Sequence, residues 1–133
     1  KKKVSSNLDY YTCYNLVLNN LIDTMNKHSR IYQLERGVLK LNTREKQAYL
    51  NNKNLNLKII DYKILEYFIK NPNMILSREQ ILLKVWGFDY TGQERSVDTH
   101  IKILRKALGP YQKGIKTVIK QGYCFETKVF ENG

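Results

Sequence analysis

Residues 95–109 read RSVDTHIKILRKALG, and the way this stretch is patterned decides how the rest of the chain is read. On a helix that turns by about 100° per residue, Val97, Ile101, Leu104 and Leu108 fall within roughly 40° of one another and form one apolar stripe. Arg95, Thr99, Lys102 and Lys106 cluster on the opposite side, with Ser96 and Ile103 beside them, Asp98 and Arg105 on one edge and His100 on the other. A helix with a basic side is often only a solvated one, and that alternative stays open here. Against it, Asp98 is the sole acid between residues 95 and 120, where seven Lys or Arg occur. A merely solvated face ordinarily mixes in acids that pair with its cations. The imbalance suits a surface meant for phosphates.

Outward from this helix, the segments on either side carry their own punctuation. Upstream, GFDYTGQE at 87–94 is an eight-residue connection, longer than the tight turn of a simple helix-turn-helix. Before it, Ser77 opens a helix that it can cap while Gln80 reaches back, and Ile81, Leu82, Val85 and Trp86 form its buried face. Gly87 is expected to supply a left-handed stop. An earlier helix with Ile60, Ile64, Leu65 and Phe68 on one stripe must end before Asn71-Pro72, because proline disfavours helical geometry in the residue preceding it. Downstream, IKTVI and YCFETKVF bracket KQG at 120–122, a loop that suits a β-hairpin.

From Tyr32 to Leu57 the period changes to two: Leu39 and Leu41 alternate with Lys40 and Asn42, Ala48 and Leu50 with Tyr49 and Asn51. NNKN at 51–54 is turn chemistry, so this region is expected to form a small antiparallel sheet. Residues 7–27 place Tyr14, Val17, Leu18, Leu21, Ile22 and Met25 at helical spacing, with Ser6 as the cap and the polar run KHSR at 27–30 as a linker. The resulting order is helix, sheet, helix, helix, helix, hairpin, an α+β chain with an N-terminal helix and linker over 1–31 and one folded domain over 32–133.

Composition agrees with one domain: 133 residues, 42% hydrophobic and 26% charged, with a formal net charge of +11. That charge points to a polyanionic partner. No apolar run approaches the length of a membrane span, and Lys1–Lys3 lead into SSNLDYY rather than an apolar signal segment, so no membrane and a cytoplasmic location are expected. The chain starts at Lys1, and a fragment of a larger protein is the expectation. Cys13 and Cys124 are expected to be free thiols. With His28 in the linker and His100 on the basic helix, no metal spacing is present and no cofactor is expected. No nucleophile–base pair or phosphate loop is visible either, and an enzyme is not expected.

Several linked motifs carry a family resemblance from about Tyr32 to Phe125: LNTRE at 41–45, LSREQILLKVWG at 76–87, RSVDTHIKILRKALG at 95–109, and KTV with GY at 116–118 and 122–123. In these the chain resembles the effector domain of OmpR/PhoB-type response regulators. The resemblance implies a winged helix-turn-helix: an N-terminal antiparallel β-sheet, a three-helix core and a C-terminal β-hairpin wing, here preceded by the extra amphipathic helix. It implies a sequence-specific regulator of transcription that binds double-stranded DNA, with recognition helix 95–108 in the major groove and wing 115–125 at the minor groove or backbone. By position, Thr99 and Lys102 then meet bases or the groove wall, and Trp86, Arg95, Ser96, His100, Thr117 and Tyr123 meet the phosphates. Ile103 and Lys106 join the candidate DNA-binding residues from the outer side of the helix, and Lys120 joins them from the hairpin as a cation for the backbone or minor groove. Phe88, Asp89, Tyr90, Gln93 and Glu94 belong to a loop facing RNA polymerase. Tandem or dimeric binding on DNA is implied, and the N-terminal helix is either the end of a receiver domain or a dimerisation helix.

The sequence departs from that family at Ile103, where an arginine often reads bases, and at Ile119 and Lys120, where the wing usually carries arginine and glycine. Alternatives stand beside the DNA assignment. Trp86 can be core, Ile103 can pack against a neighbouring element, His100 can cap the core edge, and Tyr123 can brace the wing. Two other functional classes are also open, an RNA-binding module and a winged-helix protein-interaction module. Against the first, the aromatic residues do not form the stacking stripe that single-strand readers use.

Overall fold

The computed structural model describes residues 33–87 and 92–131. The expected helix over 7–27 with its Ser6 cap, the 27–30 linker, Cys13, and Phe88, Asp89 and Tyr90 of the connection lie outside the described residues. The chain divides into Lys1–Gln33 and Leu34–Gly133, and all described elements belong to the second unit, with Gln33 alone starting the first strand ahead of it.

The alternating segment forms a four-stranded sheet in the order β1 (Gln33–Arg36), β2 (Leu39–Asn42), β3 (Gln47–Leu50), β4 (Lys53–Asn54). Strands β2 and β3 are antiparallel, with Leu39 opposite Leu50 and Leu41 opposite Ala48. The period of two therefore sends Leu39, Leu41 and Ala48 inward, all buried, and Lys40 outward. Only Asn51 and Asn52 make the following turn, both at positive φ (51° and 67°), as a type I′ hairpin turn requires. Turn chemistry alone assigns all of 51–54 to that reversal. Lys53 and Asn54 instead pair with Leu50 and Tyr49, because the two-residue turn already reverses the chain.

Helix α1 (Ile59–Lys70) ends just before Pro72 as expected and buries Tyr62, Ile64, Leu65, Phe68 and Ile69, but also Asp61. A two-residue strand β5 (Ile75–Leu76) follows. Helix α2 (Arg78–Trp86) begins with the anticipated capping box: the Gln80 amide donates to Ser77 Oγ at 3.0 Å, and the Ser77 amide to Gln80 Oε1 at 2.8 Å. At its other end Gly87 has φ 96° and ψ 170°. This is not the left-handed helical stop but an extended conformation at positive φ that is essentially open to glycine alone.

Helix α3 (Arg95–Leu108) buries Val97, Ile101, Leu104 and Leu108 completely, as its wheel demands. A 3-10 segment, Gly109–Gly114, leads into the hairpin of β6 (Ile115–Val118) and β7 (Gly122–Phe125). Strand β7 is the middle of a second sheet, β5-β7-β6. The hairpin is shifted by one residue from expectation. Val118 pairs with Gly122, so the loop is 119–121 rather than 120–122, and the first strand stops short of Ile119.

The second strand also ends earlier than read: β7 stops at Phe125, and residues 128–131 form a short helix, α4 (Lys128–Glu131). Asn73 holds this corner, its amide donating to the Phe125 carbonyl at 2.7 Å and its side chain meeting Thr127. The reason lies in Phe130, fully buried and stacked between Phe125 (5.1 Å between ring centres) and Tyr111 (5.8 Å). Burying a phenylalanine stabilises by about 1.5–3 kcal/mol, which a strand pointing past the sheet would forgo. Gly114 is required beneath it, since a Cβ there would lie 2.2 Å from the Phe130 ring.

Candidate nucleic-acid interface

The apolar stripe of α3 fixes its opposite side in solvent. Arg95, Thr99, Lys102 and Lys106 are all exposed there, with Ser96 half-buried and Ile103 retaining 44% of its surface. One helical face thus presents three cations, two hydroxyls and one apolar side chain. The helix is anchored by its long apolar stripe rather than by pairing of these cations, so their charge stays available.

The single acid of this region is not a competitor on that face. Asp98 Oδ2 accepts from Arg78 Nη1 of α2 at 2.9 Å, and Asp98 Oδ1 accepts from the Tyr123 hydroxyl of β7 at 2.6 Å. Arg78 also lies 3.8 Å from Glu94 at the start of α3. On the next turns of the same edge, Arg105 donates through Nε (3.0 Å) and Nη2 (2.7 Å) to the Ile115 carbonyl and through Nη2 to Thr117 Oγ1 at 2.8 Å. Its guanidinium sits over the Tyr123 ring, 5.6 Å from the centre. Charged hydrogen bonds from α3 therefore fasten both strands of the hairpin at a fixed angle to the helix. Burial, then the hydrogen bond and charge of Asp98, push the Tyr123 hydroxyl up to about 12. It stays a donor.

The other edge of α3 is held by His100. Its Nδ1 lies 2.5 Å from Oδ1 of Asp61 on α1, a carboxylate that is almost wholly buried, and its ring is 5.5 Å from the half-buried Trp86 ring at the end of α2. With a carboxylate as acceptor, Nδ1 carries the proton and Nε2 is the nitrogen left for another partner.

At the hairpin, Lys116, Thr117, Ile119, Lys120 and Gln121 are exposed, Ile119 at 78%. Lys116 lies 3.8 Å from Glu126. A cleft of about 370 Å³ opens between the starts of α2 and α3 and the hairpin, with Ser77, Arg78, Asp98, Thr117 and Lys120 on its walls. Of the connection before α3, Gln93 and Glu94 are exposed, and the Gln93 carbonyl accepts from the Ser96 amide at 3.0 Å.

The structure thus brings α3 and the hairpin onto one cationic surface, with Arg95, Thr99, Lys102, Ile103, Lys106, Thr117 and Lys120 open. Trp86, Ser96 and His100 are partly covered, and Tyr123 is buried with its hydroxyl committed to Asp98. The sequence reading missed Asp61, Arg78 and Arg105 as the residues that orient this surface. A signal for Asp61 was present: it falls on the same stripe as Ile64, Leu65 and Phe68, and an acid on an apolar stripe implies a buried partner. Arg105 shares an edge with Asp98 seven residues earlier, and both turned out to face the hairpin. Among the described residues, no group of three or more His, Cys, Asp or Glu could hold a metal ion, and no helix is long and apolar enough to cross a membrane.

A helical core with a cationic third helix and a braced β-hairpin defines a winged helix-turn-helix DNA-binding domain of α+β class. Residues 52–125 match the family described as transcriptional regulatory protein, C terminal, and the chain belongs to that family, the effector domains of OmpR/PhoB-type regulators. Among curated relatives, the heme response regulator HssR of Staphylococcus epidermidis is 37% identical over 99 residues, covering 73% of this chain and 44% of that protein. HssR of Staphylococcus aureus is 40% identical over 95 residues, covering 70% and 42%. The chain thus spans less than half the length of these relatives. Among solved structures, the RstA DNA-binding domain of Klebsiella pneumoniae in complex with the RstA box is 31% identical, covers 71% of this chain and 97% of its own, and superposes with a TM-score of 0.64. The DNA-binding domain of CpxR from E. coli is 27% identical, covers 71% and 96%, and gives 0.63.

Proposed function

We propose that this chain is the DNA-binding end of a response regulator that controls transcription, reading a specific duplex sequence. The observation that supports it most is the strip Arg95–Thr99–Lys102–Lys106, while Asp98, the one acid within α3, is occupied by Arg78 and Tyr123. The major groove of B-DNA is wide enough to admit a helix. Seated there, α3 sets Thr99, Lys102 and Ile103 against base edges, Lys102 toward guanine acceptors and the two methyl-bearing side chains toward thymine methyls. Arg95, Ser96 and Lys106 lie toward the phosphates, with Trp86 and His100 on the flank. With Nδ1 committed to Asp61, His100 can donate to a phosphate through Nε2 only as the imidazolium. Thr117 accepts from Arg105 and so has its own hydroxyl proton to give to a phosphate. Lys120 extends the cationic surface along the wing, and Tyr123 serves by bracing it.

The wider assignments rest on the family. The domain over 32–133 binds DNA in tandem copies on half-sites about one helical turn apart. The loop containing Phe88, Asp89, Tyr90, Gln93 and Glu94 faces RNA polymerase, and the segment over 1–31 joins the domain to a receiver or to a second copy. The protein works in the cytoplasm, on the nucleoid.

Selection of bound sites from random duplex DNA tests this reading, followed by competition between the recovered duplex and single-stranded RNA at one fixed salt concentration. A repeated half-site and preference for duplex are expected. Preference for RNA, or no enriched sequence, would overturn it.

A further inference from the structure

Ile119 is the most exposed of the large apolar side chains among the described residues, at 78%, and it stands at the tip of the wing. Isolated exposed apolar residues are common and mean little alone. The backbone around this one is unusual. The Gln121 amide donates to the Val118 carbonyl at 2.9 Å, closing a four-residue turn with Ile119 and Lys120 at its centre. Lys120 has φ 66°, whereas Ile119 is not at positive φ, the combination of a type II turn. The third position of that turn ordinarily goes to glycine or asparagine, because a Cβ there is strained. Here it carries lysine.

The strain is held from below. Arg105 grips Ile115 and Thr117, and Gly122 backs directly onto the Leu76 carbonyl, where a Cβ would come within 2.1 Å. The tip thus offers a stiff β-branched apolar side chain, a cation and an amide in sequence, on a hairpin fastened to α3 and β5 at its base. That combination matches what minor-groove proteins use: Lys, Arg, Asn or Gln along the groove, and an apolar wedge such as isoleucine that partly unstacks a base step and kinks the duplex.

We propose that Ile119 is a minor-groove wedge, with Lys120 and Gln121 as its polar flanks. The inference rests on the DNA-binding reading above. The wing then reads how easily a base step opens rather than a hydrogen-bonding pattern, which favours flexible pyrimidine–purine steps over stiff A-tracts at its position in the site.

The test uses the whole chain and a duplex recovered by selection, labelled at its two ends for energy transfer. Wild type should bend the duplex, and more readily with a TA step than with an A-tract under the wing. Ile119→Ala should bind about tenfold more weakly and leave the DNA straighter, since most of the inserted apolar surface is gone. Ile119→Arg should retain affinity by charge yet lose the bend and shift preference to the narrow groove of an A-tract. Equal bending and affinity for wild type and Ile119→Ala, with duplex binding intact, would overturn the wedge and leave the DNA-binding reading standing. Absence of duplex binding by the wild type would overturn both.

Discussion

The Tyr123 hydroxyl donates to Asp98 at 2.6 Å, so the second strand of the wing is tied to the third helix through the one acid that helix possesses. The bond does two things at once. It fixes the wing relative to the helix, and it turns a negative charge away from the surface offered to DNA.

Removing either partner should cost stability in a coupled way. Tyr123→Phe is expected to lose about 1.5–3 kcal/mol, the range for a hydrogen bond to a charged group. Asp98→Asn also weakens the grip of Arg78. In urea denaturation the double variant should lose less than the sum of the two singles. Strict additivity would mean that the bond contributes nothing.

The same pair has a signature at high pH. The Tyr123 hydroxyl is pushed up to about 12 from the ordinary 10.0, so the folded state holds a proton that the unfolded state has already released between these values. Its contribution is complete below about pH 10 and is lost as pH rises towards 12. Stability measured across that window should therefore fall, and the part due to this group should be missing in Tyr123→Phe. Identical pH profiles for the two proteins would count against it.

Gly122→Ala should be among the harshest changes in the wing. The residue sits at φ 135°, and a Cβ would meet the Leu76 carbonyl at 2.1 Å, so both the backbone conformation and the β5–β7 approach must yield. A loss of about 2–3 kcal/mol is expected by thermal or chemical melting. A variant as stable as wild type would show that the wing base is looser than described.

Much of this arrangement is legible in the sequence alone. The four-residue spacing of RSVDTHIKILRKALG placed the buried and exposed sides of α3 correctly, because a 14-residue amphipathic helix averages over many positions. Ser77 and Gln80 announced α2 by a local hydrogen-bond pattern. What escaped were features without a period. Strand β5 has two residues, too few to alternate, and exists because β7 pairs with it. Helix α4 is set by the pocket between Phe125 and Tyr111 that takes Phe130, a tertiary contact that no local period encodes. In the candidate site, charge and exposure could be read from the wheel, but the roles of Asp61, Arg78 and Arg105 depend on which helix or strand lies opposite. No single-helix pattern contains that information.

Base reading by methyl groups is open to an atomic test. Replacing individual thymines of the selected site with deoxyuridine removes one methyl and leaves the pairing edge intact. Positions under Thr99 and Ile103 should weaken binding by about 1 kcal/mol, and the effect should vanish in Ile103→Ala where Ile103 is responsible. Uniform indifference to the substitution would remove both residues from base recognition.

The most direct test of the central claim, that the outer face of α3 meets phosphates and bases of duplex DNA, is the salt dependence of binding to the selected duplex. The affinity of wild type should fall linearly on a log–log plot against salt, Lys106→Ala should lower the slope by about 0.9 as one phosphate contact is lost, and Lys102→Ala should instead relax sequence preference. A Lys102→Glu/Lys106→Glu variant that folds and binds duplex with wild-type affinity and slope would contradict it.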